Sequence, residues 1–215
     1  MVTESANRLQ RRRVAHVGGT MKKAIVVLGL ALFCTVISQN AWAKSDLGFK
    51  RLGVDVGIVD PEAAGSTIGF GAFADLGNLS PSVRLSSHVN YWNKSENQFG
   101  VEASVRDISV GARARYMFHM NSPQVQPYVG AGPSLHFFNV SVDVPGFPGM
   151  SAEDSATKVG LDMGGGASMP LSPKAEMFGE MWYTVCDIDQ FAFKAGVSFR
   201  LGQPAASVKR STRGR

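Results

Sequence analysis

The chain has 215 residues, 44% hydrophobic and 18% charged, with a formal net charge of +5. Six of its 22 Lys and Arg but only one of its 17 acids lie in residues 1–43, so residues 44–215 net to zero. The pI of about 9.4 is therefore no argument for nucleic-acid binding, and no nucleic-acid partner is expected.

From Met21 the chain reads "MKKAIVVLGLALFCTVISQNAWAK". Two lysines, an apolar run from Ala24 to Ile37 and the small-x-small group Ala41-Trp42-Ala43 are the three parts of a secretory signal peptide. The run falls short of the ~20 apolar residues that a membrane helix needs. The expected division is 1–20 as a non-native or over-extended start, 21–43 as the leader with cleavage after Ala43, 44–202 as one folded domain, and 203–215 as a basic, disordered tail. Cys34 follows bulky Phe33, which does not suit a lipoprotein cysteine. With Cys34 in the leader, Cys186 stands alone, and a single thiol makes no intramolecular disulfide.

The folded part alternates with a period of two, the signature of extended strands with two unlike faces. Leu52, Val54, Val56 and Ile58 oppose Arg51, Gly53, Asp55 and Gly57 in the first window (51–58). Seven more follow, at 68–76, 83–92, 107–118, 128–138, 158–169, 175–184 and 190–201. In the last, Phe191, Phe193, Ala195, Val197, Phe199 and Leu201 oppose Ala192, Lys194, Gly196, Ser198 and Arg200. Pro133, which lacks a ladder donor, predicts a bulge or an edge-like irregularity in the fifth window. The connections at 93–106 and 139–157 read as long loops. No segment after residue 43 reads as a helix.

Thirteen charges fall in the eight windows: Arg51, Asp55, Asp75, Arg84, Asp107, Arg113, Arg115, Lys158, Asp162, Glu176, Glu180, Lys194 and Arg200. Every one lies in the polar phase. That phase is also rich in glycine, and its charges nearly balance. Small residues suit the crowded interior of a narrow barrel, and buried ions must be paired. A soluble sandwich or ligand-binding barrel would put its apolar face inward instead, with no need for that balance. The windows are also near the ~9–11 residues with which a tilted strand crosses a bilayer. The expectation is an all-β fold, an eight-stranded antiparallel up-and-down transmembrane β-barrel, with the thirteen charges as an interior network that plugs the lumen, a narrow ion pathway lined by charge being the alternative.

The leader, "PYVGAGPSLHFF", "VGARARYMF" and the closing "FKAGVSFRLG" resemble the eight-stranded outer-membrane β-barrel domain family of Gram-negative bacteria, the OmpA/OmpX/opacity-protein-like group, over about residues 47–202. The resemblance implies an outer-membrane address, outer-membrane lipid around the wall and recognition by barrel-assembly machinery. Phe191, Phe193, Phe199 and Leu201 of the closing strand are the signal that such machinery reads. One departure is the tail after the closing strand, where such barrels often end on an aromatic residue.

Some barrels of this size act on lipid A, so catalytic residue types matter. His88 with Ser86 or Ser87 and Glu96 or Glu102 offers those of a hydrolytic triad, but His88 and Ser86 share the interior phase while Ser87 faces outward. No catalytic residue, cofactor or metal ligand is assigned. The expected role is structural or surface-interactive (adhesion or envelope integrity), with external partners at 93–106 and 139–157. A lipid-A-modifying enzyme and a secreted soluble β-protein binding a small apolar ligand are the alternatives.

Overall fold

The computed structural model describes residues 46–62, 64–98, 101–120, 124–143 and 152–201. The leader with its Ala43 cleavage site, the segment 1–20 and the tail 203–215 lie outside them. Eight strands follow in chain order: β1 (Asp46–Pro61), β2 (Thr67–Ser80), β3 (Val83–Gln98), β4 (Val101–Met117), β5 (Gln126–Asp143), β6 (Ala152–Pro170), β7 (Ala175–Val185) and β8 (Gln190–Arg200). Each pairs antiparallel with the next, and β1 pairs with β8, which closes the ring. There is no helix among the described residues.

The even strand count brings the start of β1 and the end of β8 to one end of the barrel, here the chain-end mouth. The connection at 62–66, the β3–β4 and β5–β6 hairpins and the connection at 186–189 lie at the opposite, far end. Leu52, Val54, Val56 and Ile58 on β1 and Phe191, Phe193 and Phe199 on β8 are exposed outward. The outward phase from Ile108 to Tyr116 on β4, continued by Phe118 just past the strand, is apolar over eleven residues, the length that a tilted membrane strand requires. Tyr91, Phe137, Tyr183 and Phe191 are exposed toward its far edge, and Tyr116, Phe118 and Phe199 toward the chain-end edge, as in paired aromatic girdles.

One expectation about the strands needs correction and another is narrowed. Residues 93–106 and 139–157 are not simply loops: β3 and β4 stay paired to Gln98↔Val101, and β5 and β6 to Val142↔Ala152. The apolar residues of this stretch, Val105, Val140 and Val142, sit in the inward phase, which masked the alternation in the sequence. At Pro133 the irregularity is a gap in pairing, as on an edge, and not a bulge. Pairing between β4 and β5 lapses at Ala112–Arg113 and Gly132–Pro133, then resumes in the same register. Register shifts occur instead beside Gly77, between Leu47 and Arg51 and between Asp75 and Gly77.

Glycine makes the narrow interior possible. The rings of Phe73 and Phe178 meet edge to face inside the barrel, 5.2 Å apart. Phe73 lies over Gly53 and Phe178 over Gly196; a Cβ at either glycine would come within 2.6 Å of the ring. At Gly132 a Cβ would collide with the Ala112 carbonyl, whereas at outward-facing Gly179 the nearest atom is 4.0 Å away. Gly132→Ala should therefore cost about 1–3 kcal/mol and Gly179→Ala should be neutral or stabilising by up to about 1 kcal/mol. Urea unfolding of the barrel in lipid vesicles measures both, and equal effects would contradict the close approach.

Candidate functional site

The thirteen charges fall into separate groups. Asp55, Asp75, Asp107, Arg113, Arg115, Asp162, Glu180 and Lys194 are buried. Asp162 is the centre of the largest group. Its Oδ2 accepts from Arg113 Nε and Nη2 at 2.9 and 2.7 Å, and its Oδ1 from Ser134 and Thr184 at 2.9 and 2.8 Å. Glu180 accepts from Tyr128 at 2.8 Å and faces Arg115 at 3.5 Å. The guanidiniums lie against aromatic faces, Arg113 over Trp182 at 4.0 Å and Arg115 over Phe73 at 5.0 Å, where a ring quadrupole favours a cation.

Lys194 bridges Asp55 at 3.1 Å and also donates to Asn90. Near the chain-end mouth Arg51 pairs with Glu176, and Arg84 with Asp75. Lys158 turns away from the interior groups and binds Asp187 in the far-end connection at 2.6 Å. Arg200 is exposed, with no carboxylate within ion-pair reach among the described residues. The spaces left between these layers are small, about 20 and 30 Å³, roughly one or two waters each. The interior is filled by ion pairs and aromatic rings.

His88, Ser86, Ser87, Glu96 and Glu102 are not brought together. His88 and Ser86 are buried in the interior, and Glu96 and Glu102 lie near the tip of the β3–β4 hairpin. His88 Nε2 stands 3.2 Å from Asp162, out of line for a hydrogen bond. A different Ser-His-Asp sequence of contacts, not anticipated above, is present. Ser134 Oγ lies 3.0 Å from His136 Nε2, and His136 Nδ1 lies 2.8 Å from Asp107 Oδ2. The contacts have the order of a nucleophile, a base and its orienting carboxylate. All three residues are at most 2% exposed, and the Ser134 hydroxyl donates to Asp162 rather than to His136. Gln190 and Trp92 extend this chain as structure: Gln190 donates to Asp107 at 3.0 Å and accepts from Trp92 at 3.1 Å.

Above this layer the far end is corked by Val59, Trp92 and Phe138, with Ala64, Val105, Cys186, Ile188 and Ala192 against them. Burial pushes the Cys186 thiol up to about 11, and its Sγ–H donates to the Ile188 carbonyl at 2.7 Å. Beyond the cork, β3 to β6 continue as a four-stranded sheet. β3 has no β2 partner past Gly69↔Trp92, and β6 none on β7 past Leu161↔Val185. On this sheet the outward face turns polar. Outward stand Asn93, Arg106 and Asn139, one row above Tyr91, Ile108 and Phe137, and beyond them Ser95, Ser104, Ser141, Glu153 and Glu102. The inward phase is mixed, with Val105, Val140 and Val142 on β4 and β5 but Lys94, Glu96 and Asp154 on β3 and β6. The outward apolar surface thus ends on one level across three adjacent strands.

Removing one member of the Asp162 group leaves a buried charge without its partner. Asp162→Ala should cost about 3–5 kcal/mol, while adding Arg113→Met should cost little more, because the orphaned cation is then gone. A double-mutant cycle by urea titration in vesicles tests this, and simple additivity would contradict it.

Among curated proteins none matches this sequence. Solved structures share its fold. Neisserial surface protein A is 20% identical with a TM-score of 0.51, covering 71% of this chain and 97% of its own. Ail, the attachment invasion locus protein of Yersinia pestis, solved with the heparin analogue sucrose octasulfate, is 12% identical with a TM-score of 0.50, covering 71% and 99%. A major outer membrane protein of Thermus thermophilus is 12% identical with a TM-score of 0.51, over the same shares. The family model described as "Outer membrane protein beta-barrel domain" matches residues 29–200. The chain belongs to the outer membrane protein β-barrel domain family.

Proposed function

We propose that the chain is an outer-membrane barrel that holds a projecting sheet at the cell surface for contact with a partner, and that it performs no catalytic step. The observation that carries this reading is the change of face on β3 to β6. An apolar outward belt suits hydrocarbon; an outward face of Asn, Ser, Glu and Arg suits water. The belt and the polar sheet therefore stand on opposite sides of one boundary. With the far end outward, the leader at 21–43, cleaved after Ala43, supplies export, and Phe191, Phe193, Phe199 and Leu201 of β8 serve as the signal for barrel-assembly machinery.

The projecting sheet has two free edges, and an unpaired strand edge is a ready template for an added strand. Its charge narrows the partner. Its described residues carry Lys94 and Arg106 against five carboxylates, Glu96, Glu102, Asp143, Glu153 and Asp154, so a neutral or cationic partner fits better than the polysulfate bound by the Yersinia relative. The segment 144–151 between β5 and β6, with Phe147 and Met150, lies outside the described residues. Against a lipid-modifying enzyme stands the seclusion of Ser134, His136 and Asp107, because a lipid substrate would need them at the outer wall.

Replacing residues 95–104 by an Asn-Gly turn closes the β3–β4 hairpin at Lys94↔Val105. The trimmed protein should still assemble as a heat-modifiable barrel, while cells carrying it lose adherence to the level of a deletion strain. Full adherence with the trimmed protein would remove the surface-contact reading and leave a role in envelope integrity.

A further inference from the structure

The chain-end mouth collects cations. Lys50, Arg51, Arg84, Lys174 and Arg200 line a cavity of about 570 Å³ with Asp46 and Asp75. Arg51, Lys174 and Arg200 also line an adjoining hollow of about 240 Å³ with Glu176. Each of the three carboxylates is already engaged. Asp46 holds Lys50 at 2.9 Å, Glu176 holds Arg51, and Asp75 faces Arg84 at 3.4 Å while accepting the Gly77 amide at 2.9 Å. Lys174 and Arg200 are left without a carboxylate among the described residues.

The strand register adds repulsion. Arg51 lies directly opposite Arg200 across β1 and β8, and Arg84 directly opposite Arg115 across β3 and β4. Like charges opposed in this way destabilise a sheet. Arg115 lines the narrow space that Arg51 and Arg84 share, and its buried Nε has no acceptor. Five cations against three occupied carboxylates leave two charges uncompensated around an open cavity. A guanidinium fork matches the oxygens of a phosphate two at a time; a phosphate monoester carries close to two negative charges at neutral pH and a lipid phosphodiester one.

We infer that this mouth binds a phosphate group, held by Arg51, Arg84, Lys174 and Arg200. The inference goes beyond the surface role of the far end and does not depend on it. A soluble phosphate ester and an anionic lipid headgroup both present that chemistry.

The test uses the full chain folded in phosphatidylcholine nanodiscs and titrated with pyrophosphate by calorimetry at low salt. One saturable site is expected. Lys174→Gln with Arg200→Gln should weaken it by about tenfold or more, and Lys94→Gln at the far end should leave it unchanged. Both exchanged residues are exposed, and Lys174→Gln alone, in a turn outside the strands, gives the same reading at smaller amplitude. Discs containing phosphatidylglycerol separate the sources. Loss of pyrophosphate binding there assigns the site to a lipid headgroup, and unchanged binding assigns it to a soluble phosphate. Absence of a saturable site in phosphatidylcholine discs, or equal binding by the double variant, overturns the inference.

Discussion

Everything in this molecule depends on the pairing of β1 with β8, eleven residue pairs from Arg51↔Arg200 to Pro61↔Gln190. A strand in hydrocarbon has no water to satisfy its backbone, and an open sheet leaves two rows of N–H and C=O groups bare. Closing the ring removes both rows at once. The closure also dictates what the sequence must supply. Eight strands enclose a space just wide enough for side chains, so the inward phase needs glycine where rings or backbones press close. It also needs polar groups that satisfy one another.

The inward phase meets that demand with layers rather than one continuous network. Arg51 with Glu176 and Arg84 with Asp75 lie near the chain-end mouth, the Asp162 and Glu180 groups with their arginines lie deeper, and Asp107 with His136 and Gln190 lies beneath the apolar cork. Each buried cation in the deeper groups has a carboxylate within reach, which is the condition for tolerating charge in a low-dielectric interior. Asp107, with His136 and Gln190, is the one deeper carboxylate without a Lys or Arg among the described residues; at the ends the balance fails in opposite senses. The mouth beside the chain ends has more cations than carboxylates, and the projecting sheet has more carboxylates than cations. A filled middle between ends of opposite sign is better suited to holding two different surfaces apart than to passing ions between them.

The barrel itself was legible in the sequence because its outward and inward phases differ at every second residue, from Leu52 to Leu201. Strand number, phase and the inward placement of Phe73, Trp92 and Trp182 all follow from that alternation. The projecting sheet was not legible. At Asn93, Arg106 and Asn139 the polar residues move to the outward phase, and a reading tuned to apolar-out strands takes the change for the start of a loop. The Ser134–His136–Asp107 contacts were hidden for another reason. Ser134 and His136 share a phase at a spacing of two, which the sequence displays, but Asp107 joins them only through the β4–β5 register. The opposition of Arg51 and Arg200 likewise needs the ring closure, because 148 residues of chain separate them.

The most direct measurement of the central claim, a closed ring with its apolar face outward, is electrophoresis of fractionated envelopes with and without boiling. A barrel without free edges should be found in the outer-membrane fraction, and its unboiled band should migrate apart from the boiled one. A protein recovered soluble from the periplasm, with one mobility under both conditions, would mean that Leu52, Val54, Phe193 and Phe199 face a protein core, and the inverted barrel would be wrong.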